Sequence, residues 1–269
     1  MSRKPATGSA RPVPGPTDPP DPRRYVVEPT ARRVRVMLGG EFVADSTAVR
    51  LLFETGKLPV YYFPSSDVSM DRLSESGDAR ADEVKGPTTY FHVSAGGREA
   101  ENAAWSCRGN PESGPDIGDL IAFDWNKMSA WFEEDEQVYV HPRDPYHRVD
   151  AIESSREVKV TIDGVTVACT RRPILLFETG LPTRYYVAKM DVRLELLERS
   201  ETRTACPYKG TAEYFAVRTP ERLVEDIAWC YETPIPEMSK IAARLCFFNE
   251  RADIEVDGAL EERPRTKWS

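Results

Sequence analysis

The sequence predicts a mainly β protein made of two tandem copies of one domain, and three observations carry that prediction. The hexapeptide Leu-Leu-Phe-Glu-Thr-Gly at Leu51–Gly56 returns at Leu175–Gly180, an offset of 175 − 51 = 124 residues. The same offset carries Val34 and Val36 onto Val158 and Val160, Tyr61-Tyr62 onto Tyr185-Tyr186, and Lys85-Gly86 onto Lys209-Gly210. It also carries Tyr90-Phe91 onto Tyr214-Phe215, Ala104-Trp105 onto Ala228-Trp229 and Phe123 onto Phe247. Between these landmarks the chain runs in short β-rich stretches punctuated by Gly, Pro and Asp, the pattern of strands joined by turns. A repeat this long exceeds the period of solenoids and propellers, so each copy is expected to bury its own core.

Residues 1–24 hold seven prolines among Arg, Ser and Gly, a composition with too little apolar surface to offset ordering, and are read as a flexible arm. Copy one follows over 25–150 and copy two over 151–269, with a short join around Asp150–Ser155. Each copy opens on a hairpin. In copy one it is Val34–Leu38, a Gly39-Gly40 turn and Phe42–Ala44; in copy two it is Val158–Ile162, an Asp163-Gly164 turn and Val165–Val167, where Asp-Gly is a strong hairpin signal. Further strands are expected at Val60–Phe63, Val68–Ser74, Thr88–Val93 and Asn102–Cys107, with equivalents 124 residues later. Helix is scarce, with one short candidate per copy before the Phe123 and Phe247 strands, clearest at Glu237–Leu245. After Phe123 copy one continues through Trp125, Trp131, the acidic run Glu133–Glu136 and the Pro-rich stretch His141–His147. The tight join favours two domains packed as a pseudo-dimer within a monomeric chain.

The bulk numbers exclude several functions. A formal charge of −8 and a pI near 5.2 argue against a nucleic-acid partner, which calls for a concentrated basic face. No apolar run approaches the length that spans a bilayer, so no membrane partner is expected. Five cysteines without a CxxC pair, in a chain lacking a secretion signal, fit reduced thiols and a cytoplasmic location. Their spacing does not suit a structural zinc, and no cofactor is expected. His141, Asp144 and His147 match ligand types but not metal-site spacing, and are read as part of a connector. His92, inside a strand, is read as a hydrogen-bonded structural histidine.

The order Gly-x-x-x-Ala, Leu-Phe-Glu, Tyr-Tyr, Asp-Val, Cys-Pro-Tyr-Lys-Gly, Tyr-Phe, Ala-Trp and a closing Phe resembles the DUF427 family, a domain of unknown function, over both copies. The resemblance implies a compact β-tent fold, similar in shape to zinc-bearing domains and to the ligand-binding domain of cereblon but without the zinc cysteines. It implies no known reaction. The chain shows neither a Gly-Ser plus paired-Asp signature of nucleotidyl transfer nor a phosphate-cradling glycine loop. Copy two keeps the Cys-Pro-x-Lys-Gly pattern, whereas copy one departs from it with Asp82-Glu83-Val84-Lys85-Gly86.

Candidate site residues come from what the copies share. Lys85 and Lys209 precede a strand, where a lysine facing an aromatic pocket binds an anion or acts as a nucleophile and one in solvent merely marks a turn. Glu54 and Glu178 sit in an apolar run, suited either to acid/base work if buried or to tying down the Thr-Gly turn. Asp67 and Asp191 are either polar ligand contacts or turn caps. Tyr62, Trp105, Tyr186 and Trp229 form either an aromatic wall or plain core. Cys206, whose counterpart is Asp82, stands three residues before Lys209, and a thiolate beside an ammonium would be nucleophilic; the alternative is an inert small hydrophobe. The leading expectation is a small organic molecule bound in a pocket of one or both copies, with Tyr62, Trp105, Tyr186 and Trp229 as walls and Glu54, Asp67, Lys85 and Asp191 as polar contacts. The alternatives are an enzyme using Cys206 or Lys209 with Glu178 as acid/base, and a protein-interaction scaffold.

Overall fold

The computed structural model describes residues 25–82, 85–108 and 117–269, and the arm expected at 1–24 lies outside them. Copy one contributes β1 (Tyr25–Pro29), β2 (Val34–Leu38), β3 (Glu41–Ser46), β4 (Arg50–Glu54), β5 (Val60–Pro64), β6 (Leu73–Asp82), β7 (Gly86–Ala95), β8 (Arg98–Cys107), β9 (Leu120–Phe123), β10 (Ala130–Glu133) and β11 (Glu136–Val138). Copy two repeats the plan with β12 (Val149–Glu153), β13 (Val158–Ile162), β14 (Val165–Thr170), β15 (Ile174–Glu178), β16 (Arg184–Ala188), β17 (Leu197–Cys206), β18 (Gly210–Arg218), β19 (Leu223–Cys230), β20 (Arg244–Phe247), β21 (Asp253–Val256) and β22 (Ala259–Leu260). Each copy is a seven-stranded antiparallel sheet beside a four-stranded one. The orders are β1-β4-β5-β9-β8-β7-β6 with β11-β10-β2-β3, and β12-β15-β16-β20-β19-β18-β17 with β14-β13-β21-β22.

Successive side chains on a strand point to opposite faces, and this pleat divides the repeated motifs. In copy one, Leu51 and Phe53 of β4 and Tyr61 and Phe63 of β5 join Val34, Val36, Leu38 and Trp131 in the core between the two sheets. Their neighbours Leu52 and Tyr62 turn to the other face of the seven-stranded sheet, where they meet Cys107 and Ala122, with Trp105 packed against them. In copy two the outer-face residues Leu176, Tyr186, Trp229 and Cys246 are continuous with the inner core in one cluster. The first tyrosine of each pair stays with the inner layer. Tyr61 donates to Glu133 at 2.5 Å and Tyr185 donates to Glu261 at 2.7 Å.

Three expectations need correction, and one pair of strands is not legible in the sequence. The segment around Asp150–Ser155 is not a bare join, because Val149–Glu153 forms β12 and pairs along the whole of β15, as β1 pairs along β4. An edge strand of five residues carries little periodicity of its own, so the sequence there reads as a linker. The expected strand Val68–Ser74 is not continuous: Val68 is extended and bridges Ala44, Met70–Arg72 is a 3-10 turn, and β6 starts only at Leu73. The helix expected at Glu237–Leu245 is a 3-10 segment, Pro236–Ile241, broken by non-helical φ and ψ at Met238. Its copy-one counterpart falls partly outside the described residues. Finally, β6 and β17 are ten-residue strands with polar sequences that gave no hydrophobic alternation.

The two copies close their hairpins differently. In copy one the Gly39-Gly40 turn abuts the Gly96-Gly97 turn so closely that a Cβ on Gly96 would lie 1.9 Å from the Gly39 oxygen. In copy two Asp163 takes the place of Gly39 and accepts from Arg222 Nε at 2.9 Å and Nη2 at 3.0 Å. Copy two also encloses an ion pair. The Arg184 guanidinium donates to Glu250 at 2.6 and 2.7 Å, with side chains only 7% and 0% exposed. Burial disfavours the Glu250 carboxylate, but hydrogen bonds from Arg184 and Thr266 outweigh it and hold the carboxyl below its ordinary value.

The segment between the copies is structured by contacts to both. Tyr146 bonds Glu28 and packs edge-on against Phe53. Arg143 Nε donates to the Pro207 carbonyl at 3.1 Å, and the Asp144 backbone N–H donates to Tyr208 Oη at 2.7 Å. His141, Asp144 and His147 lie on this segment; among the described residues no group of His, Cys, Asp and Glu assembles that could hold a metal. No helix among the described residues is long and apolar enough to cross a membrane.

Gly96→Ala is expected to destabilise copy one by more than about 1 kcal/mol, through both the clash and the φ of +55°. Gly97→Ala, which meets nothing within 4 Å, is expected to cost less; chemical denaturation of both variants measures the difference. Arg184→Met is expected to cost copy two about 3–5 kcal/mol by stranding a buried carboxylate, and Arg184→Met with Glu250→Leu much less. Because the folded Glu250 value is depressed, the stability it contributes is complete above the ordinary glutamate value and is lost as pH falls through the lowered one. The Arg184→Met, Glu250→Leu pair should therefore flatten the acid limb of a stability profile read by circular dichroism.

Candidate functional site

The outer face of the copy-one sheet carries a cavity of about 550 Å³. Its floor is the half of the pleat that faces away from the core: Leu52 from β4, Val60 and Tyr62 from β5, Trp105 and Cys107 from β8. Tyr90 and Thr88 from β7 and Asp78 and Arg80 from β6 form one side. Glu54, Lys57, Leu58, Lys85, Asn102, Asp124 and Lys127 complete the lining.

Four of the copy-one candidates meet here in two hydrogen-bonded pairs. Lys85 Nζ lies 3.2 Å from Glu54 Oε2, spanning β4 and the turn before β7. Lys57 also pairs with Glu54, and Tyr25 Oη donates to Oε1 at 3.2 Å. Burial acts against the Glu54 carboxylate, but the hydrogen bonds from Lys57 and Lys85 prevail and hold it below the usual glutamate value. Trp105 Nε1 donates to Tyr62 Oη at 3.1 Å. Burial first, and then the Cys107 thiol beside it, push the Tyr62 hydroxyl upward, so it stays a neutral phenol.

Copy two repeats both pairs. Lys209 Nζ bonds Glu178 Oε2, and Trp229 Nε1 donates to Tyr186 Oη at 3.1 Å. Here His147 of the connector reaches Glu178 Oε1 at 3.0 Å, its ring stacked on Tyr208 with centroids 4.4 Å apart. The Tyr208 hydroxyl is pushed up to about 12, chiefly by burial. The space corresponding to the copy-one cavity is filled by side chains. Arg184 stands at the position of Val60, Phe248 at that of Asp124 and Tyr231 at that of Cys107. Phe248 lies 4.5 Å from Trp229 between ring centroids, and the Arg184 guanidinium sits over the rings of Trp229, Phe248 and Trp268 at 5.4, 5.6 and 5.7 Å.

Other candidates sit elsewhere. Asp67 and Asp191 accept hydrogen bonds from Ser46 at 2.5 Å and Thr170 at 2.7 Å. These side-chain bonds tie the end of the hairpin to the 3-10 turn without capping its backbone, and neither aspartate lines the copy-one cavity. Cys206 is the half-buried last residue of β17, paired with Gly210 across the turn that holds Lys209. The Lys209 ammonium is engaged by Glu178. Cys230 and Cys246 are buried thiols pushed up to about 12, above all by burial, and are held protonated. His92 accepts from the Asn102 N–H at Nδ1, 3.2 Å away, in keeping with a structural role.

Sequence reasoning missed Asp78, Arg80, Tyr90, Asn102 and Asp124 as site residues. Tyr90 was visible as a repeated landmark. Asn102 has a structural signature, a left-handed φ of 48° matched by 47° at its counterpart Asp226. Each marks a bulge, and each reaches past the intervening strand to the long edge strand, Asn102 to Asp78 of β6 at 2.7 Å and Asp226 to Thr202 of β17 at 2.7 Å. Arg80 lies on the polar strand β6, where period-two spacing from Asp78 was the one signal available.

The two sheet bodies coincide with what comparison finds. The family model described as a domain of unknown function, DUF427, matches residues 26–134 and again 150–258. No match is found among curated proteins. The two matched segments take in most of the chain and fall on the two copies, so the protein belongs to the DUF427 family as a tandem two-domain member.

Proposed function

We propose that copy one binds a small organic molecule in the cavity on the outer face of its seven-stranded sheet. The observation that carries this reading is the cavity itself, about 550 Å³ and within the roughly 300–1,000 Å³ range of small-molecule sites. Its aromatic walls, Trp105, Tyr62 and Tyr90, stand beside the Lys85–Glu54 pair. The site is also preorganised. Trp105 and Tyr62 hold one another, and Glu54 is held by Lys57, Lys85 and Tyr25, so little side-chain freedom is lost when a ligand arrives. Copy two keeps the paired residues and fills the space, and it serves as the packed partner of the binding copy.

The enzyme reading centred on Cys206, Lys209 and Glu178 has less support. The contact that would activate Cys206 is taken up by Glu178, which holds the lysine ammonium. The five free cysteines and the acidic balance fit a monomeric cytoplasmic protein with neither nucleic-acid nor membrane partners.

The test is a thermal-shift screen of the intact protein against a small-molecule library, with native mass spectrometry of hits. A ligand at 100 times its Kd adds about 2.7 kcal/mol, which moves the midpoint by several degrees. The shift produced by a hit is expected to vanish in Trp105→Leu, measured against that variant's own midpoint, and to persist in Cys206→Ser. A shift that survives Trp105→Leu, or one abolished by Cys206→Ser, would place binding outside this cavity.

A further inference from the structure

Copy two contains a built-in filler at the position of the copy-one cavity, and its shape and charge bear on the ligand. The Phe248 ring lies between Tyr214 and Trp229, with centroid distances of 6.4 and 4.5 Å, and is nearly parallel to Tyr214 at 26°. Tyr214 and Trp229 are the counterparts of Tyr90 and Trp105, and Phe248 is the counterpart of Asp124. The fold therefore accommodates one aromatic ring between these two walls. In copy one both walls remain, but Asp124 is short and its Oδ1 accepts from the Asn126 N–H at 3.0 Å, capping the following turn. Tyr90 and Trp105 both line the cavity, at the place where copy two holds the Phe248 ring.

The charges differ in the same place. Each cavity carboxylate of copy one already has partners: Glu54 has Lys57 and Lys85, Asp78 has Asn102, and Asp124 has the Asn126 N–H. Lys127 donates to the backbone carbonyls of Glu101 and Asn102 at 2.9 and 3.2 Å. Arg80 differs. Its guanidinium lies 5.8 Å from the Tyr90 ring centroid, and among the described residues no hydrogen bond or ion pair engages it. A planar guanidinium with five donors is suited to a carboxylate or another oxyanion. In copy two, where the ring space is filled by the protein, the residue at this position is Thr204, bonded to Tyr214 Oη at 3.0 Å. Arg80, unpaired among the described residues, and the two open walls occur together in copy one; copy two has Thr204 and the Phe248 ring in their places, and the guanidinium beside that ring, Arg184, is paired with Glu250.

Resting on the binding reading above, we infer that the ligand of copy one is an aromatic acid, with a planar ring seated between Tyr90 and Trp105 and its anionic group on Arg80. Stacking favours a flat ring over a saturated one of equal size, and Arg80 favours an anion over a cation.

The experiment uses three probes of similar size on the intact protein: 2-naphthoate, its saturated analogue decahydronaphthalene-2-carboxylate, and 2-naphthylmethylamine, with binding read by ligand-observed NMR and calorimetry. The expected result is that 2-naphthoate binds about ten-fold tighter than either of the others, and that Arg80→Gln, on an exposed strand position, removes about that factor. Asp124→Phe, which places in copy one the ring found in copy two, is expected to abolish binding while retaining a cooperative thermal transition. Equal binding of decahydronaphthalene-2-carboxylate would overturn the ring assignment. Equal binding of the amine, or no effect of Arg80→Gln, would overturn the acid. If library compounds bind in a Trp105-dependent way and 2-naphthoate does not, the aromatic-acid inference fails while the binding site stands; if no compound binds at all, both fall.

Discussion

Everything in this protein depends on the two-residue pleat of the central strands of the seven-stranded sheet. Because neighbours on a strand face opposite ways, one short motif builds two structures at once. Leu51 and Phe53 pack inward while Leu52 and Glu54 face the cavity side; Tyr61 supports the core through Glu133 while Tyr62 holds Trp105. A one-residue slip of β4 or β5 would exchange the faces, burying Glu54 between the sheets and turning Leu51 to solvent. The inter-sheet core, with Trp131 and Val36 opposite these strands, holds that register. The site geometry is thus a consequence of the core, since the same backbone positions both.

The duplication shows how little sequence change converts a cavity into packing. The floor pair of tryptophan and tyrosine and the lysine–glutamate pair are common to both copies. Replacement of Val60, Cys107 and Asp124 by Arg184, Tyr231 and Phe248 supplies the volume that closes the second site. An arginine in that position has no water to solvate it, so it brings Glu250 with it, and three aromatic rings cover its remaining face. The C-terminal stretch completes the arrangement, with Thr266 on Glu250 at 2.6 Å and Trp268 beside Arg184. The merging of inner and outer apolar clusters in copy two, and their separation in copy one, is the visible result.

Much of this was legible before any coordinates. The 124-residue register, the Gly39-Gly40 and Asp163-Gly164 hairpins, and the pairing by type of Glu, Lys, Tyr and Trp all follow from local signals that depend on neighbours close in the chain. The polar strands β6 and β17 were not legible, because an edge strand with solvent on both sides shows no hydrophobic alternation. The Val68–Ser74 stretch misled for the opposite reason. Val68 is extended and bridges Ala44, but Met70–Arg72 turns as a 3-10 segment before β6 begins, and the preceding Asp67 is held by Ser46. That hydrogen bond joins residues far apart in sequence, and a matching one joins Thr170 to Asp191 in copy two.

The sequence by itself determined that there are two homologous β domains, which family they belong to, and which residues the copies share, because a repeat and a motif order are properties of the chain. Only the tertiary structure decided that the shared residues bond in pairs, Glu54 with Lys85 and Tyr62 with Trp105, and that Arg80, Tyr90 and Asp124 join them around one cavity. It alone distinguished the copies, since Val60 against Arg184 reads as a surface change until both are seen on the same floor. Those outcomes rest on contacts across four or five strands, set by sheet order and bulges such as those at Asn102 and Asp226. The physical reason is that space belongs to the assembled sheet: a cavity exists only where several distant side chains fail to fill it, and no local stretch of sequence records that volume.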